Sequence, residues 1–212
     1  MKKSAEIAGG RPGVRAGAAF VLVSVLGGCA TGLSNVVIDL QAYEPPRSER
    51  AAPASALADV RVEAVRDARS DTVGSLIGER TTIGNITMGM VEMKPIPTVL
   101  MARVLRTELT RMGANVVDSG EQFRVGARLT KFQLTTPATP IYWDLNGAID
   151  LELAVTDKGG TRHHARYSAT CTDRTYLYPS EELIGNVIAA CVDDIGAKVR
   201  GDTALTGLLR TR

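Results

Sequence analysis

The chain has 212 residues, of which 44% are hydrophobic, 4% aromatic and 23% charged, with a formal net charge of +2. Residues 1–28 hold four of the 25 basic and one of the 23 acidic residues, so the remainder carries a net charge of −1. The length predicts one domain with an extension. Without a basic excess after residue 28, the sequence argues against a nucleic-acid partner.

The N-terminus has the layout of a secretory signal peptide. A basic leader precedes the apolar run 16–26, and Gly27 and Gly28 follow just before Cys29. The run contains 11 residues, whereas a membrane-spanning helix needs about 20. We therefore predict that residues 1–28 are a cleaved signal peptide and not a permanent anchor.

The sequence Leu26-Gly27-Gly28-Cys29 resembles a bacterial lipobox. The resemblance implies that Cys29 becomes the first residue of the mature chain and carries lipid such as palmitate. Ala30 stands where inner-membrane retention signals usually have Asp, which implies the periplasmic face of the outer membrane. Because a multiply acylated cysteine anchors stably, the membrane is the first partner that the sequence predicts.

Residues 29–56 are predicted to form a flexible tether, and residues 57–212 a periplasmic domain. The piece 35–40 alternates only weakly, and Pro45-Pro46 leads into a polar run of small residues that cannot pack a core. As a random coil, a tether of about 27 residues would reach about 30 Å.

The domain begins with a predicted strand and a predicted hairpin. Residues 58–65 alternate in the manner of a half-buried strand, and residues 75–92 form a Gly-rich hairpin that turns at Gly84-Asn85. The same region contains three methionines that either form an adaptable contact surface for a partner or pack beneath the hairpin. These are Met88, Met90 and Met93.

Two main helices are predicted from their boundary residues. Pro97 and Thr98 open the first, with Thr98 as the N-cap, and Gly113 is placed to end it. The second begins after Ser180, which caps it ahead of two glutamates that favour the positive end of the helix dipole. A short third helix is expected at 203–209.

Long alternating segments lie between the two main helices. Residues 123–134 change phase near Thr130-Lys131, which indicates a β-bulge. Residues 143–155 alternate strictly and turn back into a partner strand at 161–172. The prediction is an α+β domain, an antiparallel sheet of three to five strands with two main helices packed on one face.

Two cysteines remain in the domain. Cys171 is predicted to lie on the helix-facing side of its strand, and Cys191 on the sheet-facing side of its helix. Because an exported protein meets an oxidising compartment, a disulfide between them is one expectation. Two buried thiols that act as small apolar side chains are the alternative.

No residue pattern indicates catalysis, a metal or a cofactor. His163 and His164 are adjacent on a strand, so their side chains point to opposite faces and cannot share one metal. Asp150 and Glu152 lie on one wet strand face, where a polar sheet surface explains them better than a carboxylate pair for glycoside cleavage.

A structural role is predicted for Asp67-x-Arg69 at the end of the first strand. Asp67 can hold the turn by accepting backbone hydrogen bonds, and Arg69 can pair with it.

The whole pattern resembles the YajG-like family of bacterial lipoproteins. The resemblance implies an envelope lipoprotein and brings no catalytic residues to this chain. It rests on the lipobox at Cys29, the turn Asp67-Ala68-Arg69, the helix LMARVLRTELTRMGANV (100–116), the strand VGARLTKFQL (125–134), and the final pieces ARYSATC (165–171) and LIGNVIAACVDDIGAKVRGDTAL (183–205).

Three functions follow from these observations as hypotheses. The favoured one is a non-enzymatic envelope lipoprotein that binds an envelope protein partner or supports envelope assembly. The second is a carrier of lipid or cell-wall fragments with a pocket between sheet and helices. The third is a peptidoglycan hydrolase that uses Asp150 and Glu152. The oligomeric state stays open at this point.

Overall fold

The computed structural model describes residues 35–46 and 58–210. The signal peptide at 1–28 and the lipid site at Cys29 lie outside these ranges and stay predictions. The elements are β1 (Val36–Asp39), β2 (Asp59–Val62), β3 (Arg66–Asp67), β4 (Leu76–Thr82), β5 (Ile86–Lys94), α1 (Pro97–Arg111), β6 (Asn115–Val116), β7 (Phe123–Thr136), β8 (Trp143–Asp157), β9 (Gly160–Thr175), α2 (Glu181–Gly201) and α3 (Thr203–Arg210).

The sheet is mixed, and β7 is its centre. Along one edge β7 pairs antiparallel with β8, which continues antiparallel to β9. Along its other edge β7 pairs in parallel with three strands in turn, first β2, then β3, then β4. The α+β prediction is confirmed, but the purely antiparallel sheet of three to five strands is wrong, because the described residues form nine strands with several parallel pairs.

The β4–β7 pairing requires a glycine. Gly78 lies opposite Leu134, and a Cβ at Gly78 would collide with the carbonyl oxygen of Leu134. The hairpin predicted at 75–92 is present as β4 and β5, with Asn85 in a left-handed conformation at its turn (φ 60°).

The core lies between one face of this sheet and the helices. Helix α2 packs on β8 and β9 and against α1, and α3 packs on β9. Leu105, Ile149 and Ile188 are fully buried there. The bulge predicted near Thr130 is confirmed, since the β7–β8 register shifts between Leu129 and Lys131.

The helix boundaries partly follow the sequence prediction. The Ser180 hydroxyl caps α2 by accepting from the Leu183 N–H, and Gly113 follows α1 in a left-handed conformation (φ 99°). The predicted cap at Thr98 is wrong. Helix α1 begins at Pro97 and has Ile96 as its N-cap residue, with no side-chain hydrogen bond. Proline at the first position needs no partner for the N–H that it lacks.

Part of the predicted tether belongs to the folded domain. Strand β1 pairs in parallel with β5, Val36 opposite Val91 and Asp39 opposite Lys94. Val36 and Ile38 are buried. The expectation of a flexible tether over 29–56 is therefore wrong for residues 35–46.

Hydrogen bonds attach the segment after β1 to helices α1 and α2. Arg111 donates hydrogen bonds to the carbonyl oxygens of Pro45 and Pro46 (2.7 and 2.9 Å). The Tyr43 hydroxyl bonds to the Asp193 carboxylate. Burial, reinforced by that bond, raises the pKa of Tyr43 well above its ordinary value, so its hydroxyl stays a donor.

Within the described ranges, no helix is both long enough and apolar enough to cross a bilayer.

Candidate contact surface

Exposed apolar side chains are concentrated at one end of the sheet. Among the described residues ten large apolar side chains are exposed, and six of these lie here. The exposed fractions are 78% for Leu177, 70% for Ile141 and 69% for Tyr176. We call this surface the apolar end, and it consists of Ile83, Ile86, Ile141, Tyr142, Trp143, Tyr176, Leu177 and Tyr178.

Strand pairing brings these residues together from three separate connections. The β8–β9 register places Trp143 opposite Thr175, so the β7–β8 loop and the β9–α2 loop meet. The β4–β7 register places Arg80 opposite Thr136, so the tip of the β4–β5 hairpin lies at the same end of the sheet. The indole N–H of Trp143 donates to the Thr81 carbonyl oxygen at 3.3 Å and joins the two groups.

The aromatic rings hold one another in place. Tyr142 packs edge-to-face on Tyr176 with ring centroids 6.3 Å apart, and Trp143 packs in the same way on Tyr178 at 6.0 Å. Such pairs contribute about 0.5–1.5 kcal/mol each beyond their buried area. The surface is therefore ordered, although it faces outward.

Arginines lie over two of these rings. The Arg174 guanidinium is 3.8 Å from the Tyr142 ring centroid, and that of Arg80 is 4.8 Å from the Tyr178 centroid. Arg174 also bonds to Asp144 at 2.8 Å. Lysine is absent from the segments 79–87, 135–146 and 172–182. The apolar end is thus aromatic and aliphatic, without the basic cluster of an anion-binding surface.

Sequence periodicity does not predict this surface, because residues from three separate parts of the chain form it. One signal was available, since four of the nine aromatic residues of the chain are Tyr142, Trp143, Tyr176 and Tyr178. In a chain with 4% aromatic residues, that concentration favours a binding surface.

The three methionines of the predicted contact surface do not lie together. Met93 is fully buried in the core, so the prediction is wrong for that residue. Met88 and Met90 are half-buried on the same strand. Residues an odd number apart on a strand point to opposite faces, which separates Met90 from Met93.

Cys171 and Cys191 are joined in a disulfide, with their Cα atoms 5.5 Å apart. Cys191 is fully buried on α2 and lies opposite Gly147 of β8. Because Gly147 has no side chain, it leaves space for the Cys191 sulfur. The bond fastens β9 to α2 on both sides of the loop that carries Tyr176 and Leu177.

The two histidines lie on opposite faces, as predicted. His163 Nε2 is 3.1 Å from Asp202 Oδ2, which also accepts from the Tyr167 hydroxyl at 2.7 Å. Burial opposes ionisation of Asp202, but bonds from the Leu205 N–H and Tyr167, with His163 nearby, lower its pKa below the ordinary value. The cluster of His163, Tyr167 and Asp202 joins β9 to the start of α3. Among the described residues, no group of acidic, Cys and His side chains could hold a metal ion.

The carboxylates of the open sheet face are engaged in cross-strand ion pairs. Asp150 bonds to Arg166 at 2.9 Å, and Glu152 lies 3.6 Å from Arg128. Burial would raise the pKa of Asp150, but hydrogen bonds with Ser168 and Arg166 lower it. A glycosidase acid needs a raised pKa, so this site favours a structural role. Glu152, with Glu63 and His164, also lines an open groove of about 370 Å³.

The turn at Asp67 and Arg69 is structural, as predicted. The Arg69 side chain is 2% exposed and grips Asp67 through two bonds, Nε to Oδ1 at 2.9 Å and Nη2 to Oδ2 at 2.7 Å. Its remaining N–H groups donate to Thr72 Oγ1 and to the carbonyl oxygens of Gly74 and Leu76. These bonds lower the pKa of Asp67 and fix the loop 68–75.

Comparison with known proteins gives a family and a fold. A family model described as uncharacterized lipoprotein matches residues 48–210. The crystal structure of the Xanthomonas campestris protein XCC0632, of the family DUF330, is similar with a TM-score of 0.57 at 10% identity, over 82% of this chain and 97% of that one. At this identity the likeness concerns the fold alone.

A minor lipoprotein from Acinetobacter baumannii is similar over 71% of this chain and 95% of that one, with a TM-score of 0.43 at 8% identity. That score is too low to support an argument about function. No curated protein matches the chain by sequence.

Proposed function

This chain belongs to the family described as uncharacterized lipoproteins, and on that premise we propose that it is a non-catalytic, lipid-anchored protein of the bacterial envelope. Cys29, after cleavage of residues 1–28, carries the acyl chains. Ala30 in place of a retention aspartate supports the periplasmic face of the outer membrane. The YajG-like features of the sequence support the same assignment within the family.

The apolar end is the observation that carries the proposal. A monomeric soluble domain rarely exposes a contiguous apolar patch unless that patch binds something. Here Ile141, Tyr176 and Leu177 are each more than two-thirds exposed, and the Tyr176 ring packs edge-to-face on Tyr142. We therefore assign to this chain a function that depends on contact through the apolar end.

The polar groups first considered for catalysis support the same conclusion. Asp150 and Glu152 face arginines, and His163 faces Asp202 and lies beside Tyr167. Each of these groups has a structural partner. The proposal of a non-catalytic protein rests on that engagement.

The ligand-carrier alternative has no comparable support. Its pocket was expected between sheet and helices, where Leu151, Ile188 and Val192 are fully buried. Three grooves among the described residues lie along the open sheet face, at the β8–β9 turn, and beside the β4–β5 tip.

The test combines the anchor with the contact. Mass spectrometry of the mature protein should find an N-terminal peptide that begins at acylated Cys29, and Cys29→Ser should abolish acylation. A photoreactive residue at position 177 should give a discrete adduct in intact cells, whereas one at Val73, which is 76% exposed elsewhere, should not. An unmodified N-terminus, or equal adducts at both positions, would contradict the proposal.

A further inference from the structure

The direction of β1 determines where the N-terminal link leaves the domain. Strand β5 begins at Ile86, beside the hairpin tip, and runs away from it to Lys94. Strand β1 is parallel to β5, with Val36 opposite Val91. Asn35 therefore lies on the tip side of β1, where its Oδ1 accepts a hydrogen bond from the Met90 N–H at 3.0 Å. The chain enters the domain near the apolar end.

The link to the lipid is short. Asn35 lies six positions after Cys29, and a fully extended chain of that length spans about 20 Å. Because the tether does not extend to residue 56, a lipid on Cys29 would lie within about 20 Å of Asn35. The bilayer surface lies within that reach of Asn35.

Only one end of the sheet is compatible with that reach. Ile86 lies four residues before Met90 on β5, which is a distance of about 13 Å along the strand. Strand β8 runs for 15 residues from the apolar end to the opposite end, which is about 45 Å. From Asn35 the opposite end is then roughly 30 Å away, beyond the reach of the link. Of the two ends, only the apolar end lies within the reach of the link.

The chemistry of the apolar end fits a lipid surface. Tyr and Trp rings prefer the headgroup level of a membrane, where the ring is apolar and its polar edge stays hydrated. Ile141 and Leu177 project as exposed aliphatic side chains from the same loops. The surrounding segments contain no lysine, and their two arginines, Arg80 and Arg174, lie over tyrosine rings. Two arginines are fewer than the basic clusters that attract anionic lipids, so that attraction is not expected here.

We propose that the apolar end is a second attachment to the bilayer that holds the acyl chains of Cys29. The acyl chains retain the protein, and Ile141, Tyr176 and Leu177 seat the domain on the lipid surface in one orientation. This inference rests on the proposed lipid anchor, and it identifies the occupant of the contact surface as lipid.

Trp143 is the only tryptophan of the chain and lies in the apolar end, so its fluorescence reports the contact. The mature, acylated protein is reconstituted into phosphatidylcholine vesicles with and without brominated acyl chains. We expect brominated lipid to quench Trp143 and the emission to shift to shorter wavelength on vesicles. Added phosphatidylglycerol should leave the quenching unchanged.

Two variants and a matched control separate contact from anchoring. Leu177→Glu and Ile141→Glu should remain on the vesicles through the acyl chains but lose the quenching. Val73→Glu, at the far end of β4, should keep it. Thermal unfolding of all three should match the parent, since each side chain is more than two-thirds exposed.

The outcomes distinguish the inference from the proposed function. An acylated, vesicle-bound protein whose Trp143 is not quenched overturns the second attachment and leaves the lipid anchor in place. Quenching that survives both glutamate variants, or that appears only with phosphatidylglycerol, also overturns it. A mature chain without acyl groups on Cys29 overturns both proposals.

Discussion

The two connections that flank β4 contain opposite kinds of side chain. Before the strand, the loop 68–75 surrounds a buried guanidinium, since Arg69 is 2% exposed and bonds to the loop and to the strand residues on either side of it. After the strand, the hairpin tip belongs to the apolar end, where Ile86 is 63% exposed. The charged Arg69 side chain is therefore buried, whereas the apolar Ile86 side chain is exposed.

This difference separates stability from binding. A buried guanidinium that satisfies acceptors on four residues makes its loop costly to disturb. An exposed isoleucine contributes little to the folded state and is available for contact. Substitutions that remove the Arg69 contacts should therefore change the free energy of unfolding, and substitutions of exposed side chains at the apolar end should change binding.

Loss of Arg69 is the largest expected effect. Arg69→Met should lower the free energy of unfolding by about 3–5 kcal/mol, because it leaves Asp67 and two carbonyl groups without their donor. Arg162→Met is the matched control, since Arg162 binds Asp157 at the same 2.7 Å but is 49% exposed. It should cost under about 1 kcal/mol. Urea unfolding checks both, and equal losses would refute the distinction.

Removal of the disulfide comes next. The double variant Cys171→Ala/Cys191→Ala should lose about 3 kcal/mol, because the bond closes a loop between residues 20 apart in sequence. Hydrogen exchange should rise more in the β9–α2 loop, which carries Leu177, than in the Arg69 loop. An equal rise in both regions would show that the bond does not order the apolar end.

Asp67 gives a smaller effect with a defined pH dependence. Its pKa in the folded state is lowered, first by the hydrogen bond from Arg69, from an ordinary value of 3.8. The stabilisation is thus complete above that value and is lost as the pH falls through the lowered pKa. Asp67→Asn should cost about 2 kcal/mol near neutral pH.

The gap in unfolding free energy between Asp67→Asn and the parent should narrow as the pH falls below about 3.8. Urea titrations across that range measure it. A gap that stays constant would mean that ionisation of Asp67 does not stabilise the loop.

The smallest expected change in stability is at Leu177. Leu177→Ser should alter the free energy of unfolding by less than about 0.5 kcal/mol, as should Val73→Ser, since both side chains are more than three-quarters exposed. Calorimetric unfolding in the absence of lipid tests this. A large loss at Leu177 alone would mean that the apolar end supports the fold instead of a contact.

Sequence patterns predicted the structural features that depend on residues close together in the chain. The alternation of residues 143–155 predicted β8, and the phase change near Thr130 predicted the bulge, because both depend on the side-chain period of one strand. Periodicity identifies a buried face but not a neighbour. The parallel pairing of β2, β3 and β4 with β7 could not be obtained from it, since parallel partners lie far apart in sequence.

The same limit explains the two larger errors. Strand β1 has only four residues, VVID, and its partner β5 follows some fifty residues later, so its weak alternation was consistent with a tether. The apolar end joins Trp143 to Tyr178 and to the tip of another hairpin. The sequence contains the aromatic residues, but only the strand registers bring them together.

The parallel pairing of β1 with β5 also has a mechanical consequence. A force applied to Asn35 along the axis of β1 would load the hydrogen bonds between β1 and β5 in shear, so that they would have to yield together. The Asn35–Met90 bond at one end and the bond from the Leu40 N–H to the Lys94 carbonyl at the other (2.6 Å) share that load. Drag on a lipid carried by Cys29, as proposed, would therefore act on several hydrogen bonds of the sheet at once.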